Sequence, residues 1–469
     1  MSDTPELTSH PWFFCGIGGS GMMPLALILR GHGAAIAGSD RSRDQGRSPE
    51  KFAWLEAQGI VLHPQDGSGL VSPRQTLVAS AAVEDQVPEV VRARELGCPR
   101  LSRAELLAAL FNAAELGIAV GGTSGKSTVT GMLGWILAAT GADPTIMNGA
   151  VMKNFAAPDA PFASARVGGG TAFVSEVDES DGSIALYRPA VGVLNNISLD
   201  HKSMEELREL FGGFLAASRT AVVNLDDPEA AALLGEAGPV LTFGESLEAQ
   251  IGALDVEHGP AGLRARIEDR RDGASYPLTL PLPGRHNLAN ALAAIAGASA
   301  AGVGVGDAVA ALADFAGLAR RFEAVGTSPS GIAVIDDFGH NPHKVAATLA
   351  TLRATPGRVL AFFQPHGYGP LRQMGAELAE TFVQQLTRED VILVCDPVYL
   401  GGTTDRSVGS ADLVEMIAAA GGTAEYIPDR GACGDRLIEL ARAEDRIVVM
   451  GARDDTLSQF ARELLARLP

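Results

Sequence analysis

The sequence predicts an α/β protein with several mostly parallel sheets. Three observations predict it. Short apolar strand-like runs alternate with helix-like runs along the whole chain, glycine-rich turns directly follow several of those runs, and 469 residues exceed what one compact core organises. The apolar fraction of 46% beside 20% charged residues fits a globular chain and excludes a mainly disordered one. A net charge of −19 repels phosphate backbones, which argues against nucleic-acid binding as the main activity but leaves room for one small basic nucleotide pocket. The cysteines at 15, 98, 395 and 433 are scattered, without metal spacing, and read as buried thiols in a reducing compartment. The acidic, turn-rich start is unlike a signal peptide, and no long uninterrupted apolar run occurs. No membrane span and a cytoplasmic location are therefore expected.

Taken in order, residues 1–112 form a first unit. A strand is expected at 12–15, then a glycine-rich turn, a helix at 22–29 and a strand at 34–37 ending on Asp40. Further elements follow at 76–79 and 103–110, and 111–117 reads as a link. A second unit, 113–322, begins with a strand at 118–120, a glycine-rich loop and a helix at 128–137. Strands at 172–174, 191–194 and 221–223 continue it. A small antiparallel excursion is expected over 255–280, then an alanine-rich helix at 288–301. The third unit, 323–469, carries strands at 332–335, 359–363, 391–394 and 447–450 with helices between them.

The sharpest chemical signal is Gly122-Thr123-Ser124-Gly125-Lys126-Ser127-Thr128, between a strand and a helix. Such a loop turns backbone N–H groups toward phosphate oxygens at a helix N-terminus. Lys126 would neutralise the outer phosphates, and Ser127 or Thr128 would offer a hydroxyl to Mg²⁺. Val120 stands where a phosphate loop usually has its first glycine. Only five lysines exist in the chain, so one directly after Gly125 is a poor match for chance. The alternative is a plain glycine-rich turn.

A second signal is Gly16-Ile17-Gly18-Gly19-Ser20-Gly21, whose spacing suits a nucleotide diphosphate, with Asp40 about 20 residues on to meet a ribose hydroxyl. A tight turn with close helix–sheet packing is the other reading. Acidic residues at 176–181, Glu176 first, follow a strand and suit Mg²⁺ beside a phosphate loop; a solvated acidic loop is the alternative. His201, after the next strand, reads as a metal ligand or phosphate contact. Asn287 and Asn290 at a helix start read as adenine contacts or as a helix cap. Arg320-Arg321 sits in a link that could bring an arginine to phosphate charge, and 336–342 ends a strand where an amine could bind.

Together these pieces resemble the Mur ligase family, ATP-dependent amide synthetases of peptidoglycan precursors. The likeness runs in family order through GIGGSGM, SAAV, GTSGKST, EVDESD, NNISLDH, GRHNLANALAA, RRFE, DDFGHNP and FQPH, and is nearest to the alanine-adding members. The resemblance implies a Rossmann-like N-terminal domain, a central ATP-binding domain and a Rossmann-like C-terminal domain. It implies that the carboxylate of UDP-N-acetylmuramate takes a phosphoryl group from ATP and that an amino acid, L-alanine by default, captures the acyl phosphate. It assigns Lys126 and 122–128 to the triphosphate, and Ser127, Glu176 and His201 to Mg²⁺. Asn287 and Asn290 fall to adenine, and Gly16, Gly18, Gly19, Ser20, Gly21, Asp40 and Ser80 to the UDP part. Arg321 is assigned to phosphate, with domain closure. Asp337, His340, His366 and Arg372 are assigned to the acceptor.

The chain departs from the alanine-adding pattern at Ser124, which stands where histidine is usual, and at Asn341, where a second histidine is usual. Gly367 and Pro370 replace two arginines associated with the acceptor carboxylate, which leaves a peptide acceptor, as in murein-tripeptide recycling, open. A non-catalytic sensor of a wall precursor is a further alternative, and oligomeric state is not legible.

Overall fold

A computed structural model describes residues 10–80, 83–199, 202–259, 261–398, 405–452 and 454–469. The chain makes two compact units. One takes in the chain up to 257 with 263–281 and 287–317; the other takes in 258–262, 282–286 and 318 onward.

The first unit contains two sheets. The smaller one orders its parallel strands Val61–His63, Ala35–Ser39, Pro11–Cys15, Thr76–Ala79 and Arg100–Ser102. The larger has ten strands, ordered Ala274–Leu280, Gly262–Asp269, Ile251–Gly259, Val240–Gly244, Thr220–Asn224, Val191–Leu194, Leu116–Gly121, Ala172–Glu176, Thr145–Met147 and Ala165–Arg166. Its centre is parallel, and the two ends close with antiparallel pairs. The excursion expected at 255–280 is thus a continuation of the main sheet, starting at Ile251, because Phe243-Gly244 pairs directly with Ile251-Gly252.

Alternation of side chains decides the layers. In Pro11–Cys15, Trp12 and Phe14 enter one core, and Phe13 and Cys15 another on the opposite face. The Trp12/Phe14 core is continuous with Phe173, Phe211 and Phe214 around the larger sheet. Phe111 lies at its centre, fully buried, with its ring 5.8 Å from Phe173 and 5.1 Å from Tyr187. The link expected at 111–117 is therefore shorter. The helix runs Arg103–Asn112 and the strand begins at Leu116, because burying Phe111 extends the helix past its sequence signal.

The second unit has a six-stranded sheet ordered Glu323–Thr327, Ala333–Asp337, Arg446–Gly451, Val359–Gln364, Val391–Val394 and Ala424–Tyr426. Only the first strand is antiparallel. Val359, Ala361 and Phe363 face one core, and Leu360 and Phe362 the other, so helices cover both faces. Two of the strands that sequence reading passed over, Arg100–Ser102 and Ala424–Tyr426, are three residues long and lie at sheet edges. Too few residues alternate there to give a period. The four cysteines carry free thiols, with Cys15, Cys395 and Cys433 buried and Cys98 partly so. Among the described residues no helix is long and apolar enough to cross a membrane.

Candidate functional site

The loop after Leu116–Gly121 turns on two glycines in left-handed conformations, Gly122 at φ +132° and Gly125 at φ +82°. Gly125 is the N-cap of the helix Lys126–Ala139. Here glycine is required twice over: a Cβ on Gly125 would collide with the amides of Asn290 and Asn195. The neighbouring strand Val191–Leu194 ends in the residues that hold this loop. Asn196 Oδ1 accepts from Ser124 N at 2.9 Å and from Thr123 Oγ1 at 3.1 Å, and Asn196 Nδ2 donates to Ser124 O at 3.0 Å. Thr123 Oγ1 also accepts from Ser198 N at 2.9 Å.

Lys126 Nζ donates to Gly122 O at 2.7 Å and to both oxygens of Glu179, at 2.8 and 3.1 Å. The Glu179 side chain is 5% exposed. Burial pushes its carboxyl above the usual range, and Lys126 works against that rise. Ser127 Oγ donates to Glu176 Oε2 at 2.8 Å, and the buried amide of Asn148 donates to Ser127 O at 2.9 Å. A Cβ on Gly149 would run into Glu176, so the backbone leaves that carboxylate its space. Thr128 follows, half-buried.

Asn287 and Asn290 are nearly buried. Asn290 Nδ2 donates to Asn287 Oδ1 at 3.2 Å, and Asn290 Oδ1 accepts from Asn195 Nδ2 at 3.0 Å. The two amides thus bond one another and the wall of the loop, an arrangement neither the cap nor the adenine reading foresaw. His201 lies outside the described residues. Among the described residues no three His, Cys, Asp or Glu side chains are gathered as a metal cage. Ser127 and Glu176 nevertheless present a hydroxyl and a carboxylate, the hard oxygen donors magnesium takes beside phosphates.

The other glycine turn lies at the end of Pro11–Cys15. Gly16, at φ +75°, and Ile17 donate to Ser39 O, and Gly18 N donates to Asp40 Oδ2 at 2.8 Å. Asp40 Oδ1 caps the short helix Arg41–Asp44 by accepting from Ser42 N at 2.8 Å. Gly19 and Ser20 are exposed, and Gly21 begins the helix Met22–Gly31 without a side-chain cap. Ser80 follows the adjacent strand Thr76–Ala79. These residues therefore share the carboxyl edge of one parallel sheet, where such sheets bind ligands.

In the second unit, Arg320 and Arg321 both lie against the Phe338 ring, at 5.1 and 4.7 Å from its centre. Asp337 accepts from Phe322 N, Gly339 N and Thr348 Oγ1 at 2.7–2.8 Å, so it organises the strand end. The rings of His340 and His366 are 4.8 Å apart, edge to face, and His340 Nδ1 bonds Phe338 O at 2.8 Å. Burial, with Lys344, His366 and Arg321 nearby, drives the His340 pKa down to about 2. Arg372 stands apart from this group in its pairing: its Nη1 donates to Asp405 O and lies 3.2 Å from Asp405 Oδ2.

Sequence reading placed Glu179 in the acidic run at 176–181 and Asn195-Asn196 in the motif after the next strand, but gave none of the three a role of its own; the grip of Glu179 on Lys126 and of Asn196 on Ser124 appears only in the structure.

Three descriptions match the chain in succession: "Mur ligase family, catalytic domain" over 13–115, "Mur ligase middle domain" over 120–298 and "Mur ligase, glutamate ligase domain" over 320–453. A UDP-N-acetylmuramate–L-alanine ligase from Streptomyces coelicolor is 35% identical over 465 residues, covering 96% of each chain. One from Acidithiobacillus ferrooxidans is 37% identical over 428 residues, covering 88% of this chain and 89% of its own. The solved UDP-N-acetylmuramate–alanine ligase of Thermotoga maritima shares the fold, with TM-score 0.78 at 24% identity over 98% of this chain and 99% of its own. A murein peptide ligase from Psychrobacter arcticus does so with TM-score 0.72 at 24% identity, covering 97% and 98%.

Proposed function

Since the chain belongs to the Mur ligase family, and is thereby an amide-forming ligase, we propose that it joins L-alanine to the carboxylate of UDP-N-acetylmuramate with ATP, in peptidoglycan precursor synthesis. The observation that supports this most is the junction of Lys126, Ser127 and Glu176 at one end of the central sheet, beneath a loop built on Gly122 and Gly125.

An unactivated carboxylate does not react with an amine in water. In this reading the muramate carboxylate attacks the γ-phosphorus of ATP, and ADP leaves. The amino group then attacks the acyl phosphate, loses its proton, and inorganic phosphate departs. The backbone N–H groups of 122–128 and Lys126 receive the phosphates, and so favour charge that builds up during transfer. Ser127 and Glu176, with His201, are the residues to hold Mg²⁺, which when bound neutralises phosphate charge. Asn287 and Asn290 hold the loop wall on the nucleotide's side. The turn Gly16–Gly21 with Asp40 and Ser80 takes the UDP part. Arg321, laid on Phe338, is assigned to phosphate, and Asp337, His340 and His366 to the acceptor end. The free thiols and nucleotide-linked substrate support a cytoplasmic location.

A second reading, a peptide acceptor, is favoured by one observation: Arg372 is tied to Asp405, while Gly367 and Pro370 offer no cation. The test mixes ATP, Mg²⁺ and UDP-N-acetylmuramate with L-alanine or with the tripeptide L-Ala-γ-D-Glu-meso-diaminopimelate, and measures ADP and the amide mass. L-alanine amide is expected. Tripeptide amide alone would move the assignment to the second reading, and no ADP release with either acceptor would end the proposal.

A further inference from the structure

The ammonium of Lys126 has three N–H donors. All three are used within the protein: one on Gly122 O and two on the carboxylate of Glu179. The glutamate is nearly buried, and the lysine side chain is 19% exposed. No other cation is within salt-bridge distance of Glu179 among the described residues. Asp178 beside it is occupied differently: its Oδ1 accepts from Ser180 N at 2.9 Å and Ser180 Oγ at 2.6 Å.

A phosphate oxygen that reaches Lys126 must take over at least one of these donors. It would then lie within a few ångströms of the Glu179 carboxylate, in surroundings where like charges repel far more than in bulk water. From this geometry we infer that Glu179 is a positioning residue that competes with nucleotide phosphates for Lys126. Its charge keeps the lysine aligned over Gly122 and holds nucleotide affinity down, so that ADP is released after transfer. The inference rests on the nucleotide reading of this loop.

The competition predicts an effect opposite to that of ordinary structural damage. Glu179→Gln keeps the shape and an acceptor oxygen but removes the charge, so ADP should bind about ten-fold more tightly. Glu179→Ser, which also removes the charge, should tighten ADP as well and serves if the glutamine variant does not hold its fold. In a Lys126→Met background the same Glu179→Gln change should alter ADP affinity by less than about two-fold, because the contest acts through the lysine. Calorimetric ADP titration of these proteins, with melting temperatures alongside, decides. Unchanged or weaker ADP binding in a folded neutral variant overturns the inference, as does an equal gain in the Lys126→Met background. Failure of the unsubstituted chain to bind ADP would instead remove the nucleotide reading beneath it.

Discussion

Asp40 accepts a 2.8 Å hydrogen bond from the backbone N–H of Gly18, so a carboxylate at the end of the second strand holds the glycine turn at the end of the first. Its other oxygen caps the helix that follows. Asp40→Ala loses both bonds at once. It should cost about 1–2 kcal/mol of stability. It should also raise KM for the sugar nucleotide several-fold while leaving that for ATP nearly unchanged. Parallel saturation curves for the two substrates check this, and an equal rise in both would show that Asp40 is not specific to the turn.

Lys126→Met should abolish turnover, but the fold will register it too. Removing one partner of a mostly buried pair leaves the Glu179 charge uncompensated, and partial exposure of the lysine limits the cost to about 2 kcal/mol. Adding Glu179→Gln to Lys126→Met should restore the melting temperature without restoring ADP formation. A double variant as unstable as the single one would show that the pair carries no such burden.

His340 of the second unit sets an acid limit. Burial with nearby cations takes its pKa down to about 2, against an ordinary 6.5. It stays neutral in the fold and gains a proton on unfolding. The stability tied to neutrality is therefore complete above pH 6.5 and declines as pH falls below it, down to about pH 2, at about 1.4 kcal/mol per pH unit where it titrates fully. His340→Gln should flatten urea-measured stability between pH 6 and 4. An unaltered slope would rule His340 out as its source.

Gly367 looks in sequence like a lost arginine that substitution would restore. The backbone argues otherwise. Gly367 sits at φ +146°, ψ 163°, a conformation that belongs to glycine, although a Cβ would meet only Pro370 Cδ at 3.5 Å. Gly367→Ala should therefore cost about 1–3 kcal/mol in the second unit despite the open space. Gly367→Arg should carry the same strain and give no gain in L-alanine affinity. Thermal melts and L-alanine KM values for both variants test this, and a tighter KM with an unshifted melt would contradict it.

The glycine loop was readable because its chemistry is local. Gly122 and Gly125 must adopt positive φ, and Lys126 must follow them, so spacing alone marks the site. The parallel sheets were readable because several core strands are apolar over their whole length, as in Val191–Leu194 and Val391–Val394. What stayed hidden depends on long-range partners. Nothing local distinguishes Glu179 from its neighbours at 178 and 181, yet it alone grips Lys126 from 53 positions away. Phe111 reads as part of a link until Phe173 and Tyr187 close around it.

Arg320 and Arg321 show the same limit most sharply, since two identical side chains have opposite surroundings. Arg320 is buried at φ +60°, donates to Gly451 O at 2.6 Å and Asp454 O at 3.1 Å, and sits 3.5 Å from the buried Asp336 carboxylate. Arg321 is half-exposed and rests on Phe338. Arg320→Ala should unfold or strongly destabilise the second unit, because it leaves two carbonyls and a carboxylate without their cation. Arg321→Ala should keep the parent melting temperature within about 2 °C, the size of a surface substitution, and lower kcat at least ten-fold. Arg321→Lys, which keeps charge but not the planar stack, should fall between. If Arg321→Ala instead melts early and retains kcat, its task is packing, and the assignment to phosphate charge fails.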